Sequence, residues 1–279
     1  MSVQRLLRQH GLRPRQRLSQ RFLADEGVLE RIMAAAEIEP ADTVLEVGPG
    51  LGTLTRALAA RAGRVIAVEL DAQLVAILHQ RLSDYPNVTI VQGDILQLAP
   101  AELVGPHAPY LVVANLPYYI TSPVLRHFLE ATHPPERLVL MIQKEVAQRI
   151  LATPGHLSLL AVSVQFYARP RLVGYVPAAA FYPRPKVDSA IVRLDVYRQP
   201  PVPVEDVPRF FRVVAAGFSQ PRKQLKNALA HSLGLPVAKA MEALAAAGIN
   251  PQQRAESLSL DDWARLAPRL QVGDGASAL

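Results

Sequence analysis

The chain has 279 residues, of which 50% are hydrophobic, enough for one large domain with a buried core and a second, smaller one. It contains no cysteine, which excludes disulfides, thiol nucleophiles and thiolate zinc sites, and we predict no metal site. The 30 Lys and Arg residues exceed the 24 Asp and Glu residues and give a net charge of +6, which favours a polyanionic partner but is also common in proteins that bind no nucleic acid.

The N-terminal residues 1–20 are basic but lack the apolar core of a secretory signal. No segment approaches the roughly 20 consecutive apolar residues that a membrane-spanning helix needs. We therefore expect a cytoplasmic protein with no membrane partner.

From about Thr43 to Val196, short β-branched runs alternate with helical patterns. This alternation is typical of an α/β domain with a mostly parallel, doubly wound sheet. In residues 158–176 and 189–197 strand-like runs follow each other with little helix between them, so we predict that an added hairpin makes the late part of the sheet antiparallel. The earlier predicted strands are TVLEV, RVIAVE, VTIVQ, YLVVAN and RLVLMI.

A segment with four prolines, residues 197–208, separates the α/β region from a C-terminal part with helical spacing. We place the domain boundary there and predict a small all-helical domain over residues 201–270. The small and polar residues 271–279 are expected to form a disordered tail.

The stretch from Val44 to Thr53 runs from a buried strand into a helix through a loop with glycine at positions 48, 50 and 52. Glycines in such a loop let a ligand approach the backbone closely. A dinucleotide-binding loop needs two residues between its second and third glycines, whereas Gly50 and Gly52 are one residue apart and the strand carries Glu46. This version of the loop is typical of methyltransferases, although a tight turn without a ligand is an alternative.

Acidic residues follow the next two predicted strands. Glu69 ends the second strand, where a carboxylate can accept hydrogen bonds from both ribose hydroxyls of an adenosyl cofactor. Asp94, followed by Ile95, ends the third strand and can accept from the adenine amine of the cofactor. Either acid alone could be a solvated strand end. Together with the glycine loop they meet at the sheet edge where open sheets bind ligands, and they predict S-adenosylmethionine as the cofactor.

The tetrad Asn115-Leu116-Pro117-Tyr118 after the fourth strand is the most specific signal in the chain. Adenine N6 is a poor nucleophile because its lone pair is delocalised into the ring. Acceptors aimed at N6, such as the Asn115 amide oxygen and the Pro117 carbonyl, would stabilise the positive charge that develops there. Tyr118 offers a face on which the base can stack. Alternatively, the tetrad is a turn that closes a strand.

At these residues the sequence resembles the ribosomal RNA adenine N6-dimethyltransferases, specifically the branch that acts on small-subunit RNA. The likeness covers nearly the whole chain in the family's order. It comprises SQRFL at 19–23, EVGPGLGTLT at 46–55, VEL at 68–70, GDIL at 93–96, NLPYYITSP at 115–123, MIQKEVAQRI at 141–150, FYPRPKVDSAIVRL at 181–194 and FSQPRKQLKNAL at 218–229.

The resemblance implies a Rossmann-like methyltransferase fold and assigns roles to individual residues. Leu23 and Arg21 would close the cofactor pocket from the N-terminal segment; the family usually has His or Asn in place of Arg21, and an Arg could pair with the cofactor's carboxylate. Phe181 would stack on the target adenine opposite Tyr118, or else be a core aromatic beside a proline turn. The predicted cofactor-binding residues are Arg21, Leu23, Gly48, Gly50, Glu69, Asp94, Ile95 and Asn115, and the predicted catalytic residues are Asn115, Pro117, Tyr118 and Phe181.

Basic residues that could contact RNA phosphates cluster between Arg5 and Arg21, beside Phe181, and in the helical domain. Each cluster alone could be a solvated face. Combined with a base-modifying site they favour small-subunit ribosomal RNA, or an immature small ribosomal subunit, as the partner of a monomeric protein. The predicted RNA-binding residues are Arg184, Lys186, Arg222, Lys223 and Lys226.

The resulting domain prediction has four parts. Residues 1–42 form a basic segment and helix closing the cofactor site, 43–200 the catalytic domain, 201–270 the helical RNA-binding domain, and 271–279 the tail. The predicted function is dimethylation of N6 at adjacent adenosines near the 3′ end of small-subunit (16S) ribosomal RNA, with a role in subunit biogenesis. Two alternatives stay open: a large-subunit (23S) RNA adenine methyltransferase of the antibiotic-resistance type, and a non-catalytic RNA- or DNA-binding factor of the same fold.

Overall fold

The computed structural model of the chain describes residues 3–12, 14–15 and 20–271. Apart from Gln271, the tail predicted to be disordered lies outside the described residues, and so does Ser19 of the first family motif. In the part of the chain that is described, no helix is both long enough and apolar enough to cross a membrane.

The chain divides into two compact units. The first contains the residues up to Ala147 together with Arg169–Val196, and the second contains Gln148–Ala168 together with the residues from Tyr197 onwards. Residues 148–168, which lie inside the range predicted for the catalytic domain, therefore group with the helical C-terminal part.

The first unit is built on a seven-stranded sheet. Its strands are β2 (Thr43–Val47), β3 (Arg64–Glu69), β4 (Val88–Gln92), β5 (Leu111–Asn115), β6 (Arg137–Gln143), β7 (Ala168–Val176) and β9 (Ser189–Val196). Their order in the sheet is β4-β3-β2-β5-β6-β9-β7. Strands β2 to β6 pair in parallel, and β9 runs antiparallel to β6. This topology confirms the predicted α/β fold with a mostly parallel, doubly wound sheet and an antiparallel late part.

The central strands are almost continuously apolar because helices cover both faces of a parallel sheet. Val44, Val65 and Val112 are fully buried. Two helices begin at aspartates that accept a hydrogen bond from the first turn, Asp25 from Val28 N and Asp71 from Gln73 N. The helices of this unit are α1 (Val3–Gln9), α2 (Glu26–Ala36), α3 (Thr53–Ala59), α4 (Ala72–Arg81), α5 (Pro100–Val104), α6 (Thr121–Leu129) and α7 (Lys144–Ile150), the last of which extends into the second unit.

A separate two-stranded antiparallel sheet joins β1 (Phe22–Leu23) to β8 (Phe181–Tyr182). Phe22 pairs with Tyr182, and Leu23 pairs with Phe181. This small sheet fixes the segment that precedes α2 beside the loop that precedes β9.

The second unit is all-helical, and its hydrophobic core contains the aromatic residues Phe166, Phe210, Phe211 and Trp263. A Cβ at Gly217 would overlap the Trp263 ring, so the helix Val207–Phe218 must carry glycine at this position. The helices are α8 (Leu159–Tyr167), α9 (Val207–Phe218), α10 (Leu225–Leu233), α11 (Val237–Ala246) and α12 (Leu260–Leu266).

The strand prediction for residues 158–167 is wrong, because these residues form α8. Ser158 caps the helix by accepting a hydrogen bond from Ala161 N. The apolar, β-branched run that resembles a buried strand is instead a helix whose Val162, Val164 and Phe166 are buried. A short apolar run cannot by itself distinguish a buried helix from a buried strand.

Candidate active site

The glycine loop between β2 and α3 has a backbone conformation that favours glycine. Gly48, Gly50 and Gly52 have φ values of +67°, +61° and +76°, in the left-handed region that favours glycine. A Cβ at Gly50 would also lie 3.1 Å from Phe22 Cε1. The loop therefore needs glycine for its backbone and for the close approach of the N-terminal segment.

Glu69, at the end of β3, holds this loop through its carboxylate. Its Oε2 accepts from Gly50 N at 3.1 Å, and its Oε1 accepts from Asp71 N at 2.9 Å. Burial raises the pKa of the Glu69 carboxyl, and the backbone N–H donors of Asp71 and Gly50 oppose that rise. Each oxygen keeps a further lone pair for a ligand hydroxyl.

Glu46 is a second buried acid at the same sheet edge. It is 1% exposed, and its Oε2 accepts no hydrogen bond from the described residues. Burial raises the pKa of the Glu46 carboxyl to about 8, with the negative charge of Glu69 adding to the rise. The side chain therefore carries a proton at neutral pH.

We expect Glu46→Gln to remove a pH dependence of the free energy of unfolding. The carboxyl has its usual pKa of 4.5 in the unfolded chain and about 8 in the folded protein, so folding binds a proton between these values. Its contribution to stability is fully present below pH 4.5 and is lost as the pH rises through 8. The wild type should lose roughly 1.4 kcal/mol per pH unit from this group across that window, whereas the neutral amide should not.

Urea unfolding of both proteins at pH 6, 7.5 and 9 measures this difference. If the two free energies of unfolding run parallel across the three pH values, Glu46 is ionised in the folded protein.

One cavity of about 240 Å³ lies at the carboxyl ends of the parallel strands. It is lined by the glycine loop, by the acids Glu46 and Glu69, and by the tetrad Asn115–Tyr118 that follows β5. Of the predicted site residues, the structure brings together Arg21, Leu23, Gly48, Gly50, Glu69, Asp94, Ile95, Asn115, Pro117 and Tyr118 around this cavity. Lining residues that the sequence analysis did not single out include Gln20, Phe22, Leu51, Thr53, Tyr119 and Ile120. All six lie inside the family motifs quoted in the sequence analysis, and that membership was the available signal for them.

The Asn115 side chain has a defined orientation. Its Nδ2 donates to the backbone carbonyl of Arg21 at 3.0 Å. The amide nitrogen is thereby engaged by the N-terminal segment, and the amide oxygen stays available as an acceptor. The Pro117 carbonyl already accepts from Ile120 N at 3.2 Å, which leaves it one lone pair.

The two tyrosines after Pro117 differ in their surroundings. The Tyr118 hydroxyl shares a 2.8 Å hydrogen bond with Ser189 Oγ, and burial raises the pKa of this phenol. Tyr119 is 52% exposed. Burial raises the pKa of Tyr119 too, and the negative charges of Asp94 and Glu69 add to the rise, so Tyr119 belongs to the acidic side of the cavity.

Phe181 does not line the cavity. It is 4% exposed and packs in the core of the first unit together with Leu23, its partner in the small sheet. This is the position of a core aromatic, the alternative that the sequence left open. Stacking of Phe181 on a base would require the residue to leave this core.

The N-terminal segment is anchored beside the cavity by polar and apolar contacts. Arg15 forms an ion pair with Asp71 at 3.0 Å, and Gln20 Nε2 donates to the same carboxylate at 3.0 Å. Leu7 packs in a small cluster with Phe22 and with Leu51 of the glycine loop. Arg21 Nη1 donates to the Gln20 carbonyl.

The predicted RNA-binding residues fall into both units. Arg184 and Lys186 are exposed in the loop between β8 and β9, just before the Ser189 that contacts Tyr118. In the second unit, Arg222 and Lys223 are exposed before α10, and Lys226 is half-buried on that helix. Arg13 and Arg17 of the N-terminal basic cluster lie outside the described residues.

Comparison with known proteins identifies related sequences and structures. Residues 11–271 match the family described as ribosomal RNA adenine dimethylase. The chain is 51% identical over 255 residues to a ribosomal RNA small subunit methyltransferase A of Dehalococcoides mccartyi, covering 91% of this chain and 88% of the relative. It is 48% identical to the protein of the same name from Moorella thermoacetica, covering 95% of this chain and 96% of the relative.

Two solved structures share the fold over most of the chain. The 23S rRNA methyltransferase ErmE has a TM-score of 0.72 and 33% identity, covering 89% of this chain and 99% of that protein. A dimethyladenosine transferase from Plasmodium falciparum has a TM-score of 0.74 and 28% identity, covering 88% of this chain and 95% of that protein.

Proposed function

Since the chain belongs to the ribosomal RNA adenine dimethylase family, we propose that it dimethylates adenine N6 in small-subunit ribosomal RNA with S-adenosylmethionine as the methyl donor. Its targets are adjacent adenosines near the 3′ end of that RNA, and the reaction belongs to the biogenesis of the subunit. The observation that carries the proposal is that the glycine loop, Glu69, Asp94 and Asn115 line the same cavity.

The residues around the cavity fit an adenosyl cofactor. Glu69 is buried and already oriented by two backbone amides, so its remaining lone pairs suit the ribose hydroxyls. Asp94, which lines the same cavity, would accept from the adenine amine. Arg21 would pair with the cofactor's carboxylate. When bound, S-adenosylmethionine supplies a methyl group activated by a sulfonium.

The tetrad Asn115–Tyr118 would act on the target base. Asn115 Oδ1 and the free lone pair of the Pro117 carbonyl accept the two N6 hydrogens and favour the pyramidal nitrogen that attacks the methyl carbon. As the new N–C bond forms and the C–S bond breaks, positive charge moves to N6, and the resulting ammonium loses its proton to water. Tyr118, held by Ser189, offers a stacking face to the base. No strong general base is needed.

The decisive experiment is to incubate the protein with labelled cofactor and small-subunit particles that lack the modification. After digestion, mass spectrometry should identify N6,N6-dimethyladenosine in the small-subunit RNA. Because the fold and 33% of aligned residues are shared with a 23S rRNA methyltransferase, a parallel reaction contains large-subunit RNA. Product in the large-subunit reaction alone, or in neither, would overturn the proposal.

We further propose that Arg222, Lys223 and Lys226 contact RNA phosphates. Replacing all three by Ala should weaken RNA binding and reduce the slope of log K against log salt by roughly 2 to 3, because each lost phosphate contact removes nearly one unit. Cofactor affinity should not change. Filter binding over a range of salt concentrations and calorimetry with the cofactor measure the two effects.

A matched control is Lys239→Ala with Arg254→Ala, since both cations are already paired with acids, Glu242 and Glu256. The control should leave the salt slope near that of the wild type. If the triple variant folds normally and keeps its slope, the three residues form a solvated face.

A further inference from the structure

We propose that a second cavity of the first unit, lined by Arg31, Arg171 and Arg193, binds a backbone phosphate of the RNA substrate. This arginine cleft has a volume of about 330 Å³. Its walls come from α2, β7 and β9, and its other lining side chains are small or apolar. The inference rests on the proposed function in assigning RNA as the partner.

The acids near the cleft are neutralised from the protein side. Arg193 is a nearly buried cation, with 10% of its side chain exposed, and it pairs with Glu37 at 2.6 Å and Asp195 at 2.8 Å. Arg137 pairs with the same two carboxylates at 3.4 and 3.3 Å. Arg193 and Arg137, the two inner arginines of the cluster, therefore balance the charges of Glu37 and Asp195.

The two outer arginines leave the cleft with an excess of positive charge. Arg171, half exposed, also reaches Asp195, at 2.6 Å. Arg31 donates to the Tyr175 carbonyl at 3.2 Å and forms no ion pair with any described residue. Four guanidinium groups thus face two carboxylates, a local excess of two charges. Each guanidinium has five N–H donors, so most donors of Arg31 and Arg171 have no acceptor among the described residues.

The backbone of β7 is shaped to admit Arg31. A Cβ at Gly174 would lie 2.8 Å from Arg31 Nη1, so the glycine lets the guanidinium lie directly on the strand. Guanidinium forks match the oxygens of a phosphate in geometry and charge, and paired arginines are well suited to bind one.

Strand β7 presents further features that suit RNA better than a free anion. Leu172, in the cleft wall, and Tyr175, next to Gly174, are large exposed side chains. The Lys144 ammonium lies 5.0 Å from the centre of the Tyr175 ring. Cations interleaved with exposed aromatic faces are typical of surfaces that hold unpaired nucleotides through phosphate and base together.

The strand register gives the distance from the methyl-transfer cavity. Asn115 pairs with Met141 of β6, and Arg193 pairs with Val139 of the same strand. With strands about 4.8 Å apart and a rise of about 3.3 Å per residue, the Cα atoms of Arg193 and Asn115 are roughly 12 Å apart. Stacked nucleotides advance about 3.4 Å each, so a phosphate in the cleft belongs to a nucleotide several positions from the target adenosine.

The test uses the full chain with Arg31→Gln and Arg171→Gln combined, which removes the two outer charges and keeps the inner pairs. Binding of unmodified small-subunit RNA, measured by filter retention without cofactor, should weaken about 3- to 10-fold at 100 mM salt, and the salt slope should fall by about one. Cofactor affinity and melting temperature should match the wild type. The control is Arg61→Gln, an exposed arginine outside the cleft that makes no ion pair with a described residue, and it should change neither quantity.

Two further measurements test whether the charge of the cleft is what matters and where on the RNA the bound phosphate lies. Arg31→Lys combined with Arg171→Lys keeps both charges and should restore the wild-type salt slope. Ethylation of single RNA phosphates should interfere with wild-type binding at a position several nucleotides from the target, and this interference should vanish in the double Gln variant. Wild-type RNA affinity in the double Gln variant would overturn the proposal. The proposal would also be overturned if inorganic phosphate raised the melting temperature of the wild type but the double Gln variant bound RNA as tightly as the wild type.

The outcome is separable from that of the proposed function. RNA binding is measured without methyl transfer, so loss of affinity in the double Gln variant supports the cleft even if no dimethyladenosine forms. Conversely, dimethylation by a wild type whose RNA affinity is unchanged by the substitutions would remove the cleft and leave the enzyme assignment intact.

Discussion

Glu69→Ala is expected to raise the dissociation constant of S-adenosylmethionine by about 10- to 100-fold. Loss of a charge-assisted bidentate contact to the ribose hydroxyls costs on the order of 1.5 to 3 kcal/mol. The substitution also releases the Gly50 and Asp71 amides that the carboxylate accepts from, so the glycine loop loses its anchor on β3. The proposed ribose contact would be equal in the ground and transition states, so turnover at saturating cofactor should change much less than affinity.

Calorimetric titration measures the affinity, and Glu69→Gln separates the two contributions. The amide keeps one carbonyl acceptor for a backbone N–H but loses the charge, so its affinity should lie between those of wild type and Glu69→Ala. The exposed acid Glu26 provides a control, since Glu26→Ala should bind the cofactor normally. Normal affinity in a folded Glu69→Ala protein would remove this residue from the cofactor site.

The sheet and the glycine loop could be predicted because their signals are local. Each central strand is an apolar run followed by a turn, and parallel strands bring their carboxyl ends to one edge. The position of Glu69 and Asp94 beside the glycine loop could therefore be predicted without any knowledge of tertiary contacts. The positive φ values of Gly48, Gly50 and Gly52 follow from the same local pattern.

The contacts that orient the site could not be predicted in this way, because they join distant residues through short elements. The pairing of Leu23 with Phe181 involves two strands of two residues each, too short to leave a pattern. It nevertheless buries Phe181 and holds the segment whose Arg21 carbonyl accepts from Asn115. Likewise, Arg31, Arg137, Arg171 and Arg193 are isolated in sequence and meet only through strand register and the position of α2.

Asn115→Ala is expected to keep the fold and to lower turnover by roughly 100-fold or more at saturating cofactor and RNA. The magnitude is that of losing one preorganised hydrogen-bond partner of a developing charge. The structure gives this expectation a geometric reason: the Asn115 amide nitrogen donates to the Arg21 carbonyl, so the side chain cannot rotate freely and its oxygen is held as the acceptor. Cofactor affinity can fall as well because Asn115 lines the same cavity, so saturation must be verified for the variant.

Asn115→Asp tests whether the acceptor or the orienting hydrogen bond matters more. The carboxylate keeps an acceptor for N6 but cannot donate to the Arg21 carbonyl. If charge stabilisation at N6 dominates, Asp should retain more turnover than Ala. If the donor to Arg21 dominates, the two variants should be equally impaired.

The product distribution gives a second, independent reading of Asn115. Adenine has two N6 hydrogens, whereas monomethyladenine has only one. If Asn115 and Pro117 supply the two proposed acceptors, the second methyl transfer can use only one of them. Removing the Asn115 oxygen should therefore affect the two transfers unequally and shift the ratio of mono- to dimethyladenosine, which mass spectrometry of digested RNA measures. A general loss of folding or of RNA affinity would lower both products without this shift at saturating substrate. A folded and saturated Asn115→Ala protein with normal turnover and a normal product ratio would leave the tetrad as a structural turn, and the acceptor for N6 would then have to be sought elsewhere in the cavity.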